Sequence, residues 1–513
     1  MFDKQERKSI KASVSVAEDG RRKREEKLSA LRKQKKEAIL KRKREAPDAS
    51  THDPKVIMKL NQLPQLVAGI NSSDLAVVTD ATSNLRKLLS MERSPPIDEV
   101  INANVVPRLV QLLSRGDAPT LQFEAAWALT NIASGSSEHT EVLIKENAVP
   151  NFIQLLSSNS HDVKEQAIWA LGNIAGDSYQ CRNYVLQYGA LPPLIKICQD
   201  QPKQSILRNA TWTISNLCRG KPSPDLNLVL PALGLLNTLL YNQDDEVLTD
   251  ACWAISYLSD GPNERIQCVL ESGVAPKLTE LLLHPITSVQ TPALRTIGNI
   301  VTGNDTQTQT MVNLGALKSL GSLLGHSKKS IRKEACWTIS NITAGSVAQI
   351  QSVIDADLFP SLIKLLKESE FDIKKEAAWA ISNATSGGSA EQIQYLVNND
   401  CIAPLCDLLV VKDNKILNVA LEGLDNILAK GQLDDSLDNI YAQHVEEAGG
   451  LDKLETLQTH RDQSIFEKSS KIIEDYFGVE DETIETDLPQ QDANQFQFNA
   501  NTFNGQQQQF SFM

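Results

Sequence analysis

The sequence predicts an all-α fold: a right-handed α-solenoid of about ten stacked repeats, with a basic segment ahead of it and a polar tail behind it. The first observation is a repeated phrase. The six tryptophans, Trp127, Trp169, Trp212, Trp253, Trp337 and Trp379, stand in WALTN, WALGN, WTISN, WAISY, WTISN and WAISN. RTIGN at Arg295 fills the one gap in register, so the steps are 42, 43, 41, 42, 42 and 42 residues, and a weaker copy, EGLDN, follows at Glu422. The second observation is a proline of the same period, at Pro107, Pro150, Pro192, Pro231, Pro276, Pro360 and Pro404. So regular a period marks units that bury their apolar faces only by stacking on one another.

A period of about 42 residues built from short helical segments fits armadillo or HEAT repeats. Each proline opens a helix, because a first-turn residue has no intrahelical partner for its N–H. Apolar runs such as PNFIQLL, PPLIKIC and PSLIKLL continue those helices, and the Trp phrase falls about 20 residues later, on the next one. Residues 58–477 hold ten such units, between residues 1–57 and 478–513. The first unit, around TDATSNLRKLLS, has no Trp, as suits a terminal repeat that caps a stack. Glu422 stands in the Trp register of the ninth and the tenth has no ladder motif, so a groove built on the Trp phrase is expected to stop near the eighth.

Residues at i−3, i and i+4 share one side of a helix. They read Glu124, Trp127, Asn131; Asp250, Trp253, Tyr257; Glu334, Trp337, Asn341; and Glu376, Trp379, Asn383. A lone helical Trp is usually a core residue. Here burial of the whole stripe would leave a carboxylate and an amide to find partners, at a cost of roughly 2 kcal/mol or more for the amide alone. The stripe Ala125, Leu129, Ile132, matched by Ala335, Ile339, Ile342, suits a core better, so a surface ladder of indoles is expected. Indole faces attract Lys and Arg while covering their stems, for roughly 0.5 to 2 kcal/mol each. An Asn amide pairs with both the N–H and the C=O of an extended backbone, and acidic neighbours hold cationic heads. The combination describes a groove for an extended Lys/Arg-rich peptide.

Charge divides the chain. Residues 21–44, RRKREEKLSALRKQKKEAILKRKR, hold 13 Lys or Arg against three Glu, a balance of +10, while the whole chain carries −13 and the remainder therefore −23. Such a run is commonly a solvated or nucleic-acid-binding arm. Nucleic acid would here have to approach an acidic body, and the interspersed Leu28, Leu31, Ala38, Ile39 and Leu40 allow a helix. Eight scattered cysteines with no CxxC pair argue for reduced, mostly buried thiols and against a zinc or disulfide framework. No apolar run approaches the roughly 20 residues of a membrane span, and no apolar signal segment opens the chain, so a soluble, intracellular protein is expected. A Gly-rich phosphate loop, HExxH and GxSxG are all absent, so catalysis and cofactors are not expected.

The phrases WALTNIASG, WALGNIAGD, WTISNLCRG, WAISYLSDG, RTIGNIVTG and WTISNITAG resemble those of the importin alpha (karyopherin alpha) family of armadillo-repeat nuclear import adaptors. LRKQKK and KRKR resemble its importin-beta-binding domain. The resemblance implies a major site for nuclear localisation signals at Trp127, Asn131, Trp169, Asn173, Trp212, Asn216 and Asp250, with Asp177 receiving the deepest lysine and Gly135 and Thr140 beside it. It implies a minor site at Arg295, Asn299, Glu334, Trp337, Asn341, Glu376, Trp379 and Asn383, bordered by Tyr257, with the peptide antiparallel to the repeats. The basic residues Arg21, Arg22, Lys23, Arg24, Arg32, Lys33, Lys35, Lys36, Lys41, Arg42, Lys43 and Arg44 are then expected to bind importin beta. Lys41, Arg42, Lys43 and Arg44 look like a localisation signal that folds back into the major site. Further implied partners are an export receptor with Ran in its GTP form, at about residues 400–477, and nucleoporins, with the protein shuttling between cytoplasm and nucleus. VEDETIETDLP either joins the export contact or only solvates the chain, and the Gln- and Asn-rich end is expected to be disordered. The competing reading is an armadillo scaffold at adhesion or cytoskeletal sites, which predicts a basic groove and no tethered basic segment.

Overall fold

A computed structural model of the chain describes residues 61–91, 95–432 and 439–477. Among them there are helices and one isolated β-bridge, Gln432 to Asn439, and no strand. Ten long helices recur once per repeat: α1 (Leu75–Leu89), α2 (Pro119–Ala133), α3 (His161–Asp177), α4 (Gln204–Cys218), α5 (Asp245–Leu258), α6 (Thr287–Ile300), α7 (Lys329–Thr343), α8 (Phe371–Gly387), α9 (Asn414–Gly431) and α10 (Gln463–Phe477). Each of α1 to α9 packs against the next, and shorter helices lie between them, as Ser137–Lys145 and Ala148–Leu155 do ahead of α3. The fold is an α-solenoid whose core runs unbroken from Leu63 to Ile472.

The periodic prolines lie where their missing N–H is harmless. Pro107, Pro192, Pro276 and Pro360 sit in the first two helical positions, and Pro231 is an N-cap. A second periodic signal turns the chain between the two shorter helices of eight repeats, while Leu230 and Pro231 make the join ahead of α5 in the right-handed region. Asn104, Asn147, Gly189, Gly273, Gly315, Asp357, Asp400 and Gly449 all adopt positive φ. This left-handed conformation is open to Gly and tolerated by Asn and Asp, which explains the restricted choice there.

Ala125, Leu129, Ile132, Ala335, Ile339 and Ile342 are fully buried, as their stripe predicts. The other edge of the stack is laced by capping boxes. Gln307, Gln349 and Gln392 each accept from the N-cap N–H of their own helix. Each also donates across to the preceding repeat, to the carbonyl oxygens of Asn263, Asp305 and Val347 at 2.9, 2.9 and 3.0 Å. One side chain thus closes a helix start and fixes the next unit's orientation.

All eight cysteines are free, and seven are buried, with Cys268 half-buried. Burial pushes the thiols of Cys198, Cys218, Cys401 and Cys406 up to about 12. The thiolate is the reactive form, so these groups are inert near neutrality. Iodoacetamide at pH 8 is expected to label the native chain first at Cys268, and the seven others only after denaturation, as peptide mass mapping would reveal. No helix among the described residues is long and apolar enough to cross a membrane.

Candidate peptide-binding groove

The Trp phrases lie on α2 to α8, and the structure shows why each begins and ends with its particular residues. The Asn four residues after Trp reaches back to the preceding long helix. Asn173, Asn216 and Asn383 donate Nδ2–H to the carbonyl oxygens of Thr130, Gly172 and Ser340, at 3.4, 2.9 and 2.9 Å. Asn299 donates to Ser256 O at 2.9 Å and to Ser259 Oγ at 3.1 Å, and Asn131 to Ser90 Oγ at 2.9 Å. Asn341 is the exception, with a buried amide nitrogen that has no hydrogen-bond partner among the described residues. The ladder amides are therefore straps between repeats, and one donor of each strap is committed before any ligand arrives.

That finding corrects the expectation that the stripe stays at the surface. Trp127, Trp169, Trp212, Trp337 and Trp379 are half-buried, but Trp253 is only 6 % exposed, stacked on Tyr257 with ring centroids 5.8 Å apart. Glu124, Asn216, Arg295 and Asn299 are buried as well. Their burial is affordable because each has a partner in the neighbouring repeat, which removes the penalty for an unpaired polar group. Asp250, Glu334 and Glu376 are half-buried.

The position three after Trp also has a role that the sequence reading missed. A Cβ on Gly172 would lie 2.2 Å from Trp212 Cζ3, and one on Gly298 would lie 2.2 Å from Trp337 Cζ3. These two indoles rest directly on the backbone of the preceding long helix. The available signal was the run of small residues at this register, Thr130, Gly172, Ser215, Ser256, Gly298, Ser340 and Ser382.

Asp177 ends α3, where unpaired carbonyls already favour a cation. Its Oδ1 accepts from Ser137 Oγ at 2.9 Å, and the Cys181 thiol lies 3.8 Å from Oδ2. Arg219 donates to Gly176 O at 2.9 Å, fixing the helix end. Buried Arg182 holds the following loop through Arg219 O and Pro222 O, at 2.6 and 2.8 Å. Ser137 and Arg219 are absent from the sequence-derived set. Gly135 is half-buried against His139, leaving no room for a side chain. Thr140 has no exposed surface, and its hydroxyl donates to Ser136 O at 3.4 Å.

Arg295, in the Trp register of α6, forms a two-pronged ion pair with Glu334, which leaves that carboxylate neutralised from within the chain. The same arrangement occurs at the start of the stack, where Arg86 Nε and Nη2 donate to Glu124 at 2.7 and 3.1 Å. At the far end Glu422 pairs with Lys468 at 2.6 Å.

A model of the armadillo/beta-catenin-like repeat matches residues 93–134, 136–176, 178–219, 224–260, 262–302, 304–344, 346–386 and 389–429, and one of an atypical Arm repeat matches 439–491. The importin beta binding domain matches residues 6–83. Importin subunit alpha-4 of Arabidopsis thaliana is 54% identical over 495 residues, covering 93% of this chain and 92% of its own length. The chain belongs to the importin alpha family. Importin subunit alpha-B of Dictyostelium discoideum is 58% identical over 488 residues, 93% of this chain and 95% of that one. An engineered protein of known structure aligns with a TM-score of 0.74 at 27% identity, covering 82% of this chain and 99% of its own. With an importin-beta-binding domain ahead of its repeats, this importin alpha is a nuclear import adaptor that links signal-bearing cargo to importin beta. The basic residues Arg21 to Arg44 lie outside the described residues.

Proposed function

We propose that the Trp edge of α2 to α8 is the groove that holds the cargo's Lys/Arg-rich signal. The observation that carries this reading is the strap geometry. Half-buried Asn173 and Asn383 are fixed by one N–H on the preceding helix, which leaves the amide oxygen and the second N–H for an extended backbone. A side chain immobilised in advance loses little entropy on binding. Between successive straps the half-buried indoles take the stems of lysine and arginine, and Asp177 receives a lysine head at the end of α3. Trp127, Trp169 and Trp212 serve the major site, and Trp337 and Trp379, with Glu376, serve the minor one.

Two sites on one solenoid suit a signal with two basic clusters. Linking the clusters turns the second contact into an intramolecular one. Glu376→Arg is therefore expected to weaken a two-cluster peptide about tenfold or more while leaving a single-cluster peptide within about twofold, because a like charge at the minor site touches only the former. Fluorescence anisotropy with the two peptides checks this, and equal losses for both would place Glu376 elsewhere.

On this reading no catalytic step and no direct nucleic-acid or membrane contact is involved. The last repeats, about 400–477, meet the export receptor with Ran-GTP, nucleoporins are met in passage, and the protein shuttles between cytoplasm and nucleus.

A further inference from the structure

The first Trp of the ladder already has a cation on it. The guanidinium carbon of Arg86 lies 4.2 Å from the centroid of the Trp127 ring, while Phe123 stands at its side with centroids 5.5 Å apart. The same guanidinium forks onto Glu124, with side-chain exposures of 15% and 11% for Arg86 and Glu124. Arg86 stands 41 residues before Trp127 and Arg295 42 residues before Trp337, so both occupy the Trp register of their repeats. Both fork onto the acid three residues ahead of the next Trp. Each half of the groove thus opens with an Arg where an indole would continue it.

We propose that Arg86 is a specificity-determining stop: a built-in occupant of the Glu124 carboxylate and of the face of the Trp127 indole turned towards α1, which leaves the opposite face to the peptide, ends the cation-binding array at α2 and fixes how many consecutive basic residues the major site accepts. An indole with an acid beside it is the same pair of groups that the groove offers to a peptide cation. While Arg86 holds both, a further peptide cation meets a fixed positive charge there, so the array cannot extend towards α1. The inference rests on the groove reading above.

The test uses the full chain, Arg86→Gln, and three fluorescent peptides: a five-residue Lys/Arg cluster flanked by alanine, and the same cluster with one more Arg at its carboxyl or at its amino end. Arg86→Gln is expected to bind one extended peptide about five- to tenfold more tightly than the parent peptide, whereas the unchanged chain binds all three alike. With the peptide antiparallel to the repeats, the favoured one carries the carboxyl-terminal Arg. Removing Arg86 strands a buried carboxylate, so Arg86→Gln/Glu124→Gln, which leaves no unpaired charge, is measured beside it; this pair gains through the indole alone, about twofold to threefold. A change shared equally by parent and extended peptides, or none in either variant, overturns the stop and makes Arg86 a structural pin. Failure of the parent peptide to bind the unchanged chain would overturn the groove reading itself.

Discussion

Asp177→Lys is expected to cut the affinity for a single-cluster basic peptide by a hundredfold or more while leaving the solenoid folded. Asp177 and the carbonyl end of α3 make one electronegative spot, and the exchange replaces its carboxylate with an ammonium that repels the peptide's own. At about 4 Å a unit charge pair near a protein surface is worth up to about 4 kcal/mol, and partial exposure reduces this to roughly 3 kcal/mol, a factor of about a hundred. Folding should survive because a cation at a helix C-terminus is favourable and Arg219 still bonds Gly176 O. Anisotropy titration together with a thermal melt separates the two effects. Unchanged affinity with unchanged melting would remove Asp177 from the site.

Deleting residues 1–57 is expected to raise the affinity for cargo peptide by about a thousandfold. The segment 21–44 carries +10 on a chain whose remainder carries −23, and its closing Lys41 to Arg44 has the chemistry that the groove selects. Joined to the groove through a linker it acts at an effective concentration of order mM, so an intrinsic constant of order μM suppresses apparent cargo affinity about a thousandfold. Importin beta, by taking the same segment, would lift the suppression. Adding importin beta to the full chain should therefore reproduce the deletion. Equal affinities for full and shortened chains would end the autoinhibition model.

The fold was legible because its determinants repeat. A single Trp phrase is ambiguous, but its period and the accompanying prolines leave only a helical stack. The site was legible in residue type and less so in the state of each residue. Glu124 and Asn216 looked too polar to bury, and no property of their own helix reveals Arg86 or the Gly172 carbonyl, which lie in the preceding repeat. Arg86 itself was hidden because the first repeat lacks the Trp that would have set its register. Trp253 reads as one more rung, yet Tyr257 in place of Asn provides a ring to stack on instead of an amide strap, and the indole closes over it.

On the groove reading, the half-buried indoles of α3 and α4 grip the basic signal. The most direct measurement is a titration of a fluorescent two-cluster Lys/Arg peptide into the chain lacking residues 1–57 and into the same chain with Trp169→Ala and Trp212→Ala. Two cation–π contacts with their covered stems are together worth roughly 1 to 4 kcal/mol, so saturable binding should weaken at least about fivefold in the variant. Equal binding by both chains, with both folded, would contradict the account and assign the ladder to another ligand.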